Sequence, residues 1–233
     1  MSNQKPSALN QWQSTVWIPF LLLAVVGCDG DPLSPCIDCG SSIRPGRYAQ
    51  TQEKAFTVEE FTNVQVHTFT GNVTVRTGEP GKIRAVATLR VDHESDFDSI
   101  DLRMVAATRE LQVRARNPYN LKNASVDFEV FAPLDAIPQV DAAVGQIDYQ
   151  GSPHGTCRFT VGVGSIRLRL HPDTNVSVEL FAAVGSINLQ IPVDGSWQHP
   201  RRHVRGRIGS GDEGSLHAST AVGSIYLMSS ATQ

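Results

Sequence analysis

Residues 176–191 read VSVELFAAVGSINLQI. Val176, Val178, Leu180, Ala182 and Val184 fall on alternate positions, the period-two pattern of a half-buried strand. The pattern then slips. Ile187, Leu189 and Ile191 resume it, but Val184 and Ile187 are three positions apart. Gly185-Ser186 therefore interrupts the pleat in a way that would keep apolar side chains inward on both sides of a bend. Glycine supplies the backbone freedom that such a bend needs. Two geometries satisfy this parity. One is a corner in a β-solenoid coil, and the other is a two-residue hairpin turn with glycine first.

The same four-residue pattern recurs as Val144-Gly145-Gln146-Ile147, Val163-Gly164-Ser165-Ile166 and Val222-Gly223-Ser224-Ile225. Its glycines are spaced 19, 21 and 38 residues apart, and Gly206-Arg207-Ile208 reads as a degraded copy inside the longest gap. A period near 20 residues favours stacked coils over separate hairpins. The expected fold class is all-β, a single-domain β-solenoid, with an antiparallel hairpin repeat or a β-sandwich as alternatives. Gly145, Gly164, Gly185 and Gly223 are expected at bends that stack on successive coils. Gly164 and Gly185 would then have α-carbons within roughly 5–7 Å of each other.

Upstream, alternation also marks Val64–Thr68, Val73–Val75, Ile83–Leu89, Leu111–Ala115 and Val126–Val130 as strands. Gly71-Asn72, Gly78-Glu79 and Asn117-Pro118 punctuate them as turns. The acidic run His93–Leu102 does not alternate and reads as a loop or a short helical turn.

The N-terminus has a different character. Val16–Gly27 is apolar and ends at Cys28. Twelve residues of helix span about 18 Å, short of the roughly 30 Å bilayer core. Residues 1–27 therefore read as a signal peptide. Val25-Val26-Gly27-Cys28 resembles the lipobox of bacterial lipoproteins, which implies cleavage before Cys28 and lipid on its thiol. Residues 28–49 are rich in Pro and Gly and read as a tether. Cys36 and Cys39 within it could close a small disulfide. Residues 50–233 form the all-β repeat domain, in which Cys157 reads as a small buried hydrophobe.

Composition limits the chemistry. The net charge of −3 and 7% aromatic content argue against a nucleic-acid partner. Arg201, Arg202, Arg205 and Arg207 form the sharpest local feature, within WQHPRRHVRGR. Guanidinium groups so clustered can hold phosphate, sulfate or carboxylate. The competing reading is a solvated face whose arginines pair with Asp212 and Glu213. His199 and His203 lack a third ligand and a helix, so no metal site is expected. Asp92, Glu94, Asp96, Asp98 and Asp101 read as a solvated loop. Ser165, Ser186 and Ser224 recur with the repeat, as turn residues do and a unique nucleophile does not. No catalytic set and no cofactor are expected.

The chain resembles the bacterial putative-adhesin domain family, a β-repeat family of the cell envelope. The resemblance is carried by Phe56–Val75, Leu111–Arg116, Val126–Ile147 and the four glycine repeats. It implies a solenoid-like domain and brings no catalytic residues. The function expected is a membrane-anchored envelope module that binds a polymer or has a structural role. The alternatives are a regulatory component that binds another protein, and a polysaccharide-active enzyme on a β-helix.

Overall fold

The bent strand at residues 176–189 is one of four that lie side by side in parallel. The structure, a computed structural model, describes residues 46–58, 62–107, 109–197 and 202–230. Thirteen strands cover most of them, with one 3-10 turn at Glu94–Ser99 in the acidic run. The strands are β1 (Tyr48–Thr57), β2 (Asn63–Thr70), β3 (Val73–Thr77), β4 (Lys82–Val91), β5 (Asp101–Ala107), β6 (Glu110–Arg116) and β7 (Ser125–Ala132). The long strands β8 (Ile137–Gly151), β9 (Gly155–Leu170) and β10 (Val176–Leu189) follow, then β11 (Asp194–Trp197), β12 (His203–Ile208) and the long β13 (Gly214–Ser229). The protein is all-β, built on one large mixed sheet.

The glycine motif lies within β8, β9, β10 and β13, not between strands. Residues on both sides of the motif pair in parallel with the matching residues of the next long strand. A hairpin turn would pair them antiparallel with each other. Each long strand therefore has two arms joined at a crease. The first arms continue outward through β2, β6 and β5 on one side and through β12 and β11 on the other. The second arms continue through β3, β7, β4 and β1. The sheet does not close on itself; the main path ends at β1 and β11.

Alternation explains the core. Val178, Leu180 and Ala182 on the first arm of β10, and Ile187 on the second, are buried in one cluster. That cluster also holds Phe159, Leu216 and Ile225 from neighbouring long strands. Thr68 is buried too, and its hydroxyl donates to the Val126 carbonyl (3.1 Å). Among the described residues no buried side-chain nitrogen or oxygen lacks a partner. Lys54 on the edge strand β1 points to the core side and donates to the Met104 carbonyl of β5 (3.3 Å). An inward-pointing charge of this kind discourages further strand addition at an edge.

Several sequence expectations differ from the structure. The long strands lie in the order β8-β9-β13-β10, so β13 separates β9 from β10. Gly164 and Gly185 are not neighbours; Gly185 pairs with Gly223. Gly206-Arg207-Ile208 is not a repeat copy. It lies in β12, which runs antiparallel to β10 and forms a hairpin with β11. A further copy is Thr70-Gly71-Asn72-Val73, where Thr70 pairs with Val144 and Val73 with Ile147. Val184 does not face the core. It is 56% exposed, like Val163 and Val222 at the same point of their strands. The crease lifts this residue out of the pleat before the alternation resumes at Ile187. Finally, β1 and β5 begin in stretches that carry no clean apolar alternation, where the sequence reads as tether and loop.

Candidate binding surface

The crease fixes where side chains can be displayed. Gly71, Gly145, Gly164, Gly185 and Gly223 all have φ between +135° and +148°, a region that L side chains rarely enter. A Cβ built on Gly145 would overlap the Gly71 carbonyl oxygen, and one on Gly164 would overlap that of Gly145. The same holds for Gly223 against Gly164 and for Gly185 against Gly223. The five glycines thus form a continuous ladder, with each α-carbon against the next carbonyl. Beside it runs a polar row in which the Asn72 side chain accepts from the Gln146 backbone N–H (3.1 Å), and the Ser186 and Ser224 hydroxyls share a hydrogen bond (3.2 Å).

Because the strands are in register, outward residues align in rows across the sheet. On the first arms one row reads Gln139, Arg158, His217, Glu179, Arg205 and Ser196, from β8 to β11. Three basic side chains converge on Glu179. Arg205 Nη2 donates to its Oε1 (2.5 Å), His203 Nε2 lies 3.4 Å from the same oxygen, and His217 Nδ1 lies 3.3 Å from Oε2. The hydrogen bond from Arg205, then that from His203, hold the Glu179 carboxyl below the usual carboxylate range. The Phe181 ring meets the His203 ring edge to face, with centroids 6.1 Å apart. Arg207 Nη2 donates to Asp194 Oδ2 (3.2 Å). Farther along this face His67 Nδ1 lies 3.2 Å from Asp141 Oδ2.

The outer face of the second arms is charged differently. Its central row is Arg84, Phe131, Arg76, Gln150, Arg169 and Met228. Each arginine has a carboxylate of its own: Glu53 for Arg84, Glu129 for Arg76 and Asp148 for Arg169. Arg84 also stacks on Phe131, 4.2 Å from the ring centre. The arginines of this row are matched one for one by carboxylates, whereas around Glu179 the bases outnumber the acids.

A cleft of about 490 Å³ opens at the far ends of the long strands, lined in part by Leu170, His171, Asn175, Ile191 and Ile208. Asp173 is the one carboxylate among its lining residues, and it lies 3.5 Å from His171 Nδ1. The cleft does not bring two carboxylates together. Among the described residues no three His, Cys, Asp or Glu side chains are grouped to hold a metal ion.

Of the residues singled out by sequence, Cys28, Cys36, Cys39, His199 and Arg201 lie outside the described residues. Arg202 is exposed, and its carbonyl accepts from the Ala182 N–H (2.8 Å). Arg205 and Arg207 stand on β12 and meet Glu179 and Asp194, not the acids nearest in sequence. Asp212 accepts from Ser210, and Glu213 from Asn175. Cys157 is buried, which pushes its thiol up to about 12. Sequence reading passed over Arg158, Glu179 and His217. They sit 21 to 59 residues apart and meet only through strand register, although their outward parity between apolar residues was a usable signal.

The fold and this surface define an all-β domain that displays a charged outer face on a creased parallel ladder. No family profile and no curated protein matches the chain. Solved structures similar to it include a putative cell adhesion protein of Clostridium sporogenes, at 11% identity and TM-score 0.49, covering 78% of this chain and all of that one. A putative adhesin of Bacteroides fragilis is 11% identical, with a TM-score of 0.28 over 79% of this chain and 99% of that one. Another, from Parabacteroides merdae, is 10% identical, with a TM-score of 0.26 over 77% and 81%. Likeness at this level assigns no function.

Proposed function

We propose that this chain is an exported bacterial envelope lipoprotein, held at the membrane by lipid on Cys28. Its domain binds an anionic envelope polymer and catalyses no reaction. The observation that carries the reading is the row Arg158, His217, Glu179 and Arg205, with His203 and Arg207 beside it, on a solvent-accessible sheet face. Guanidinium groups bind carboxylate, phosphate and sulfate through paired N–H donors. A polymer can meet several of them at once, which raises avidity without any deep pocket. The Val25-Val26-Gly27-Cys28 motif supports the anchor. The parallel ladder of creased strands supports reading the domain as a solenoid whose coils are threaded out of chain order.

The test is to pass the purified chain over immobilised envelope polysaccharides and cell-wall fragments. Retention on the anionic ones, lost as salt rises, is expected. Arg158→Gln and Arg205→Gln should each elute earlier. No retention on any polymer, or retention unchanged in both variants, would overturn the binding reading.

A further inference from the structure

The surface around Glu179 contains its own charge regulator, and this inference rests on the binding reading above. Among the described residues, the charged and titratable groups that face the cluster can be named by strand. β9 supplies Arg158, β13 His217, β10 Glu179, β12 His203, Arg205 and Arg207, and β11 Asp194. Three guanidinium groups face two carboxylates, leaving one net positive charge when both imidazoles are neutral. Imidazole is the side chain that ordinarily changes charge between pH 5 and 8. Protonating both raises the net charge of the cluster threefold, on a face where the ligand must be an anion.

The geometry couples the imidazoles to one acceptor. His203 and His217 approach different oxygens of Glu179, while Arg205 takes one of the same oxygens. Glu179 is thus an internal counter-ion for three bases, in the position a bound carboxylate or phosphate would compete for. With the imidazoles charged, one carboxylate can no longer balance the cluster, and an external anion gains a net attraction. With them neutral, Glu179 and Asp194 come close to balancing it alone.

We infer that this face is a pH-gated receptor for an acidic glycopolymer, engaged in mildly acidic surroundings and released as the medium becomes alkaline, with His203 and His217 as the switch. The probe is polygalacturonate, with a neutral glucan of equal length as control. Binding of the full chain is measured from pH 5.5 to 8 at fixed salt. Affinity should fall roughly tenfold across that range, the scale of two surface charge pairs. His203→Gln/His217→Gln should be weak and flat with pH. His203→Arg/His217→Arg should be flat as well, but should hold at pH 8 the affinity that the parent shows only at pH 5.5. Glu179→Gln should bind more tightly at every pH.

The outcomes separate the two readings. If no acidic polymer binds at any pH, the binding reading fails and the switch with it. If polygalacturonate binds equally at pH 5.5 and 8, or the glutamine pair keeps the parent's pH dependence, the switch alone is overturned. Equal binding of the neutral glucan would overturn the anionic specificity.

Discussion

Gly164 shows how much a single position can carry. Its φ of +144° and its contact with the Gly145 carbonyl leave no room for a side chain. Gly164→Ala should cost at least about 1–3 kcal/mol from backbone conformation alone, more with the overlap, read as a lower urea midpoint. Ser165→Ala, one residue on, should change the midpoint little. An equally stable Gly164→Ala protein would remove the ladder argument. Cys157 gives a second test at this scale. Its thiol is buried and held up at about 12, and the thiolate is the reactive form. Alkylation at pH 8 should therefore leave Cys157 untouched in the folded protein and modify it rapidly in denaturant. The glycines were legible in sequence because they recur with a parity slip. Their exposed valine partners were misread because parity alone assigns Val184 to the core.

Strands explain what the residues could not. Val64–Thr68, Val126–Val130 and the four long repeats were readable because each has one dry face. β1 was not, because its core-facing positions are largely polar, Gln50, Gln52 and Lys54 among them. β12 was mistaken for a repeat because Gly206-Arg207-Ile208 copies the motif's letters without the flanking alternation. That hairpin edge brings Arg205 to Glu179, and the pairing has a consequence for stability. Glu179 is held below the usual carboxylate range by Arg205 first and His203 second. A depressed carboxyl stabilises the fold above its unfolded value of about 4.3 and loses that contribution as pH falls through the lower folded value. The melting-temperature advantage of the parent over Glu179→Gln should therefore shrink as pH falls below about 4.3. An advantage that grew as pH fell below about 4 would contradict this assignment.

Across the whole domain, the order β8-β9-β13-β10 sets the rules. The sequence showed the four long creased strands but not their order, and it added a false copy at Gly206 and missed the one at Gly71, because every copy has the same apolar pattern and would pair with any other. The residues between β10 and β13 form the β11–β12 hairpin on the outer side of β10, and β13 lies between β9 and β10. Pairings this distant in sequence are slow to form. A chain ending at residue 213 should leave β10 without its parallel neighbour, and we expect it to lose the cooperative unfolding transition in urea. Cooperative unfolding with an unchanged midpoint would show that β13 is dispensable.

That central position also governs how the domain would respond to tension. β13 is held on both sides, by β9 and by β10, over nearly its whole length. A pull along it, such as a bound polymer dragging against an N-terminal anchor would transmit, loads two rows of backbone hydrogen bonds in parallel. They must slide together and cannot unzip one at a time. In a single-molecule stretching experiment between residue 46 and the C-terminus, rupture should come as one large event at a force set by the unfolding rate, and not as a series of small peeling steps.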